Sequence, residues 1–177
     1  DHRDLHSFPT RRSSDLLGSG IMGHGISQVS AMAGYNVVLR DIEQRFLDNA
    51  MEKIKWSLDK LVSKEKISDD ERNKIISKIT PMVDLNDAVQ DSDLVIEAVP
   101  EIMDLKKKVY AELDKAADNH IIFASNTSTL PITEIANTVS KPERFIGIHF
   151  FNPPQLMKLV EVIDRKSTRL NSSHVKR

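Results

Sequence analysis

Cysteine is absent from the 177 residues. That removes disulfides and thiolate metal sites, and it fits a reducing compartment such as the cytoplasm. No apolar run approaches the ~20 residues of a membrane-spanning helix. Nor does an apolar stretch follow Asp1-His2-Arg3-Asp4 as it would in a secretory signal. An excess of one charge is missing too: 25 basic and 26 acidic residues give a net charge of -1, so there is no basic footprint for nucleic acid. Aromatic residues make up only 5%, which leaves aliphatic side chains to build the core. What remains is a chain of one-domain length with a small-molecule partner and neither a membrane, a nucleic acid nor a metal.

The two ends differ from the middle. Residues 1–16 and 164–177 are rich in Arg, Ser and His and show no helix or strand period. Ser13-Ser14-Asp15-Leu16 can be encoded by TCT TCC GAT CT, and Asp164-Arg165-Lys166-Ser167 by GAT CGG AAG AGC. These are one DNA element in opposite orientations. The longer strings, residues 6–12 and 167–174, resemble translated short-read sequencing adapters. Both tails are therefore expected to be non-native, with the authentic domain spanning residues 17–163. His24, His120 and His149 are then the histidines that matter.

The core alternates short apolar runs with helical patterns, the signature of a doubly wound, mostly parallel α/β sheet of the Rossmann type. Leu16-Leu17 reads as the stub of a first strand, and residues 21–33 as a helix stopped by Gly34. Further strands are expected at residues 36–40, 79–80, 93–99, 121–124, 145–149 and 159–163. Helices are expected at 43–64, 85–89, 102–117 and 131–139. The long helix carries an apolar stripe of Leu47, Met51, Ile54, Leu58 and Leu61. Ser68-Asp69-Asp70-Glu71 is a capping box that opens another helix, so a helical pair is inserted into the sheet pattern.

Gly18-Ser19-Gly20-Ile21-Met22-Gly23 lies between that strand stub and a helix, the setting in which G-x-G-x-x-G binds a dinucleotide. Gly18 makes the turn, Gly20 admits the pyrophosphate and Gly23 lets helix and strand pack. Asp41, 21 residues beyond Gly20 and at the end of the second strand, suits the adenosine ribose hydroxyls and repels a 2′-phosphate. NAD is thus favoured over NADP, although the adjacent Arg40 could hold such a phosphate.

Three polar segments fall at carboxyl ends of expected strands, where open α/β sheets bind ligands. They are Ser125-Asn126-Thr127-Ser128, His149-Phe150-Phe151-Asn152-Pro153-Pro154, and Glu161. Removal of an alcohol proton suits an imidazole base. A carboxylate on its far nitrogen and a hydroxyl on the reacting oxygen would complete the set. Each residue also has a plain structural reading: His149 as a satisfied strand-end residue, Glu161 as an exposed one, and Ser128 as the N-cap of the helix at Pro131. His120 reads as structural, and His24 as a packing residue near the phosphate site.

Taken in order, the glycine loop continuing through His24-Gly25-Ile26, Ser125-Asn126-Thr127-Ser128, and His149 to Pro154 with Met157-Lys158-Leu159-Val160-Glu161 resemble the 3-hydroxyacyl-CoA dehydrogenase family. The likeness is to the form that includes 3-hydroxybutyryl-CoA dehydrogenase. It implies NAD-dependent oxidation of an L-3-hydroxyacyl-CoA, with His149 and Glu161 as the catalytic dyad, Ser128 on the substrate oxygen and Asn152 beside the nicotinamide. It implies cofactor contacts at Gly18, Gly20, Ile21, Met22, Gly23, Asp41, Ala98, Glu101, Lys106 and Asn126. Ser57 and Lys64, with Lys60 beside them, fall where the family touches CoA. A second, helical domain and a homodimer made through it are implied as well, so the chain reads as the N-terminal part of a longer enzyme. Rival readings are a hydroxyacid dehydrogenase with a lysine base, and a non-catalytic, crystallin-like NAD-binding protein.

Overall fold

The computed structural model describes residues 13–164 and 173–176. Strands β1 (Ser13–Leu17), β2 (Val37–Arg40), β3 (Ile79–Met82), β4 (Ser92–Glu97), β5 (Ile122–Ser125), β6 (Phe145–Phe150), β7 (Leu159–Asp164) and β8 (Ser173–Lys176) form one sheet. Its spatial order is β3-β2-β1-β4-β5-β6-β7-β8. The strands from β3 to β6 pair in parallel, whereas β7 runs antiparallel to β6, and β8 antiparallel to β7. Between the strands lie helices α1 (Ile21–Met32), α2 (Gln44–Ser63), α3 (Asp69–Ile76), α4 (Leu85–Val89), α5 (Met103–Ala116) and α6 (Ile132–Ala136). The strand order reverses between β1 and β4, so a ligand crevice opens above their carboxyl ends.

Helices cover both faces of the sheet, and the period of two along β1 divides them. Leu16 joins Ile26, Leu39, Leu47, Ile54 and Leu58 under α1 and α2. Leu17 joins Val95, Tyr110, Leu113, Phe123 and Phe145 on the other face. Each aliphatic side chain buried in this way stabilises the fold by about 1.5–3 kcal/mol before entropy is counted. Leu47, Ile54 and Leu58 make the buried stripe of α2, with Met51 and Leu61 packed at its margin. The capping box is present as expected: Ser68 Oγ accepts from the Glu71 N–H while Glu71 accepts from the Ser68 N–H.

The ends depart from the sequence expectation. The first strand is no stub, because β1 spans five residues and pairs with β2 on one side and β4 on the other. Backbone pairing on two sides imposes the strand on residues whose own pattern does not ask for it. A second strand, β8, lies in the other tail and pairs with β7. The longer adapter-like strings at residues 6–12 and 167–172 lie outside the described residues. One consequence is local and severe: Asp15 is fully buried in a central parallel strand, a position that ordinarily carries aliphatic residues. It accepts a hydrogen bond from Ser92 Oγ. Burial pushes its carboxyl up to about 8, only partly opposed by the Val38 backbone and reinforced by nearby Asp91.

Candidate active site

The glycine loop begins where Leu17 faces Arg40 on one side and Glu97 on the other. Gly18 turns at φ +94°, and a Cβ there would lie 2.8 Å from the Ala98 carbonyl oxygen. The chain can leave β1 beside the end of β4 only as glycine. A Cβ on Gly23 would collide with the Gly18 carbonyl, so α1 starts directly against the turn. Around Gly20, by contrast, nothing lies within 4 Å of a built Cβ. This open face above the free N–H groups of the α1 start is the cradle that a pyrophosphate requires. Ile21, 66% exposed, stands at its rim, with Met22 half-buried behind it.

Asp41 follows β2 directly. Its Oδ2 accepts from both the N–H and the hydroxyl of Ser19, each at 2.7 Å, and Oδ1 accepts from the Ile42 N–H at 2.7 Å. Arg40 donates from Nε to the Val83 carbonyl at 3.0 Å, which ties it to the loop after β3. His24 sits one turn into α1 with Nδ1 2.7 Å from the Gly20 carbonyl. Burial lowers its pKa, the carbonyl opposes that, and Lys53 adds to the lowering.

Across the crevice, His149 near the end of β6 stands directly opposite Glu161 of the antiparallel β7. Nδ1 is 3.0 Å from Glu161 Oε2, and Nε2 is 3.1 Å from Ser128 Oγ. With the carboxylate accepting from Nδ1–H, Nε2 is left as the acceptor on the open side. Phe151 packs its ring 4.5 Å from the imidazole. Asn126 ties the strand ends together, donating its N–H to the Glu97 carbonyl and accepting the Phe150 N–H at Oδ1. Asn152 is exposed in the loop after β6, and its bond to Pro153 is cis. A Cβ on Gly25 would press on Pro154 and Gln155 at 3.0 Å, so α1 packs closely against this loop.

Beneath these groups runs a brace that the sequence reading missed. Glu97, at the end of β4 and fully buried, accepts from Lys106 Nζ at 2.6 Å, the Val99 N–H at 2.7 Å and Ser125 Oγ at 2.7 Å. Burial pushes its carboxyl up, opposed by the Lys106 ammonium and the two neutral donors. Lys106 is itself fully buried and lies 3.4 Å from Glu101 Oε2. Glu101 Oε1 accepts from Thr127 Oγ1, from the Ser128 N–H and from the Thr129 N–H at 2.5, 3.0 and 3.2 Å. Burial works against the Glu101 carboxylate, but the Thr127 hydroxyl, Lys106 and the two N–H groups together hold its pKa below the usual range. The only hint in the sequence is one acid closing an apolar strand, with a lysine nine residues on.

The remaining expectations divide. Ser128 is not the N-cap of α6: that position is Pro131, while Thr127 Oγ1 accepts the Leu130 N–H. Ser128 is instead free to face His149. Ser57 lies within α2 and Lys64 is its C-cap residue. Both belong to the helical pair, and neither joins the cluster around His149. Lys60 stacks its ammonium 3.4 Å from the Trp56 ring centroid. His120 is a surface residue whose carbonyl accepts from Arg144.

The model of the family described as 3-hydroxyacyl-CoA dehydrogenase, NAD binding domain, matches residues 15–173. The chain belongs to this family. It is 44% identical over 157 residues to the fatty acid oxidation complex subunit alpha of Idiomarina loihiensis, covering 89% of this chain and 22% of that one. It is 42% identical over 158 residues to the mitochondrial hydroxyacyl-coenzyme A dehydrogenase of Rattus norvegicus, covering 86% and 50%. The solved structure of (S)-3-hydroxybutyryl-CoA dehydrogenase from Ralstonia eutropha superposes with a TM-score of 0.83 at 38% identity, over 85% of this chain and 53% of that one. The chain thus spans between 22% and 53% of the length of these relatives. As an NAD-binding domain of the 3-hydroxyacyl-CoA dehydrogenase family it takes NAD as cofactor, and the open face over Gly20 and the half-buried Asp41 at the end of β2 fit that group. No described helix is long and apolar enough to cross a membrane.

Proposed function

We propose that the chain is the cofactor-binding part of an enzyme that interconverts an L-3-hydroxyacyl-CoA and the 3-ketoacyl-CoA. The observation that carries this reading is the unbroken sequence of contacts from Ser128 through His149 to Glu161. In the oxidative direction, Ser128 Oγ and His149 Nε2 hold the substrate hydroxyl between them. His149 Nε2 takes the hydroxyl proton, and Glu161 stabilises the imidazolium that forms. NAD would supply the acceptor for the hydride that leaves the hydroxyl-bearing carbon. Gly18, Gly20, Ile21, Met22 and Gly23 would hold its pyrophosphate, Asp41 its adenosine ribose and Asn152 its nicotinamide, with Ala98, Glu101 and Asn126 as further contacts. Lys106 acts from below, through Glu101. The CoA moiety lies along the helical pair at Ser57 and Lys64.

The relatives' names support a CoA-ester substrate, and their greater length supports a second domain that completes the cleft and forms a dimer. On this reading the 177 residues alone turn over substrate very slowly. The burial of Asp15 in a central strand supports the assignment of residues 1–16 as translated adapter, and the matching DNA element read backwards extends that assignment to residues 164–177. Sequencing the parent gene checks this, and native coding sequence at both junctions would refute it. Catalysis is tested on the chain joined to its downstream coding sequence, by following acetoacetyl-CoA-dependent NADH oxidation. The change His149→Gln should lower kcat by about 10²–10⁴-fold, the range for loss of a general base, with NADH affinity retained. Near-normal turnover would remove His149 from that role.

A further inference from the structure

We infer that Ser19 is a positioning residue that sets the preference for NAD over NADP by fixing the carboxylate of Asp41. The inference rests on the assignment of Asp41 to the adenosine ribose, made above. The second position of G-x-G has no general need for a hydroxyl, because the loop's work is done by its glycines and its free N–H groups. Here that position carries a serine only 6% exposed, and a buried hydroxyl must find an acceptor. It finds Asp41 Oδ2 at 2.7 Å, the oxygen that also accepts the N–H of the same residue at 2.7 Å. The Ile42 N–H holds Oδ1 at 2.7 Å.

Three donors thus fix the plane of this carboxylate, two of them from the loop that carries the pyrophosphate site. Both lone pairs of Oδ2 are taken by Ser19, and Oδ1 keeps one for a ribose hydroxyl. A 2′-phosphate brings negative charge to the same place. It could be admitted only if the carboxylate swung aside, or if a cation took its place. The Ser19 hydroxyl opposes the first. The second is opposed by Arg40, whose Nε is committed to the Val83 carbonyl at 3.0 Å. Charge-assisted hydrogen bonds of this kind are short and directional, and they are stronger than neutral ones. Removing the hydroxyl leaves only the two backbone N–H groups, and so loosens a carboxylate that repels the wrong cofactor best while it is held.

Fluorescence titration of the whole chain with NADH and with NADPH tests this, with Ser19→Ala and Asp41→Asn beside the parent and a thermal melt of each. In Ser19→Ala the ratio of NADPH to NADH dissociation constants should fall by about tenfold, the effect of one hydrogen bond to a charged group, while the melt stays near the parent's. Asp41→Asn should lower the ratio at least as far. If Ser19→Ala keeps the parental ratio while Asp41→Asn loses it, Ser19 does no more than close the loop and the inference is overturned. If neither change moves the ratio, or the parent binds neither dinucleotide, the ribose assignment of Asp41 fails and this inference with it.

Discussion

His149 has two nitrogens with different duties, and its neighbours decide which is which. Glu161 at 3.0 Å claims Nδ1, so Nε2 is the basic nitrogen turned to Ser128. Glu161→Gln keeps the shape but removes the charge that stabilises an imidazolium. In the joined enzyme, steady-state kinetics should show kcat reduced by about 10²-fold or more with little change in KM for NADH. Ser68 is a residue of another kind, concerned only with stability. Ser68→Ala removes an acceptor for the Glu71 N–H and should cost about 1 kcal/mol in a denaturant melt, typical of a lost N-cap.

At the scale of elements, the brace from Glu97 through Lys106 to Glu101 joins the ends of β4 and β5 to the start of α5. Lys106→Met should destabilise the domain by about 3–5 kcal/mol, because it leaves a buried carboxylate without its ion partner. Adding Glu97→Gln should recover part of that loss, and equilibrium denaturation of the two single variants and the double variant checks the coupling. The sequence points to His149, Glu161 and the glycine loop but not to this brace, for a physical reason. Glycines and the acid that ends the second strand leave marks at fixed spacing, so Gly18 and Asp41 can be picked out, whereas His149 and Glu161, each with a plain structural reading as well, stand out only through the resemblance to the family. A charge inside the core leaves none: Glu101 and Lys106 stand out only through the resemblance, as cofactor contacts, and nothing in the sequence marks Lys106 as buried against Glu97. The alternative reading of Ser128 as a cap fails because Thr127, one residue earlier, has the same chemistry and accepts the Leu130 N–H. The strands β1 and β8 were hidden for a third reason. Their pairing is imposed by partners far away in sequence, and periodicity within a short window does not register that.

Across the whole molecule, Asp15 makes stability depend on pH, and the buried Glu97, its carboxyl likewise pushed up, acts in the same direction. The pKa of Asp15 in the fold is about 8, above that of an unfolded aspartate. The folded state therefore binds the extra proton between those values, and stability falls as pH rises from about 4 to about 8. Asp15→Asn should flatten this slope and raise stability at pH 8 by several kcal/mol, read as the difference between the two proteins in urea melts across that range. The antiparallel pairing of β6 with β7 has an effect of a different sort. His149 and Glu161 meet because β6 and β7 place them directly opposite each other. A slip of β7 by a single residue would send Glu161 to the far side of the sheet. The imidazole then acts as a built-in gauge of assembly: a misaligned molecule works about 10²-fold more slowly or worse, as Glu161→Gln does, and scarcely counts beside an aligned one. A poorly folded preparation should lose working sites in number while each remaining site keeps its full speed, and active-site titration would tell the two apart.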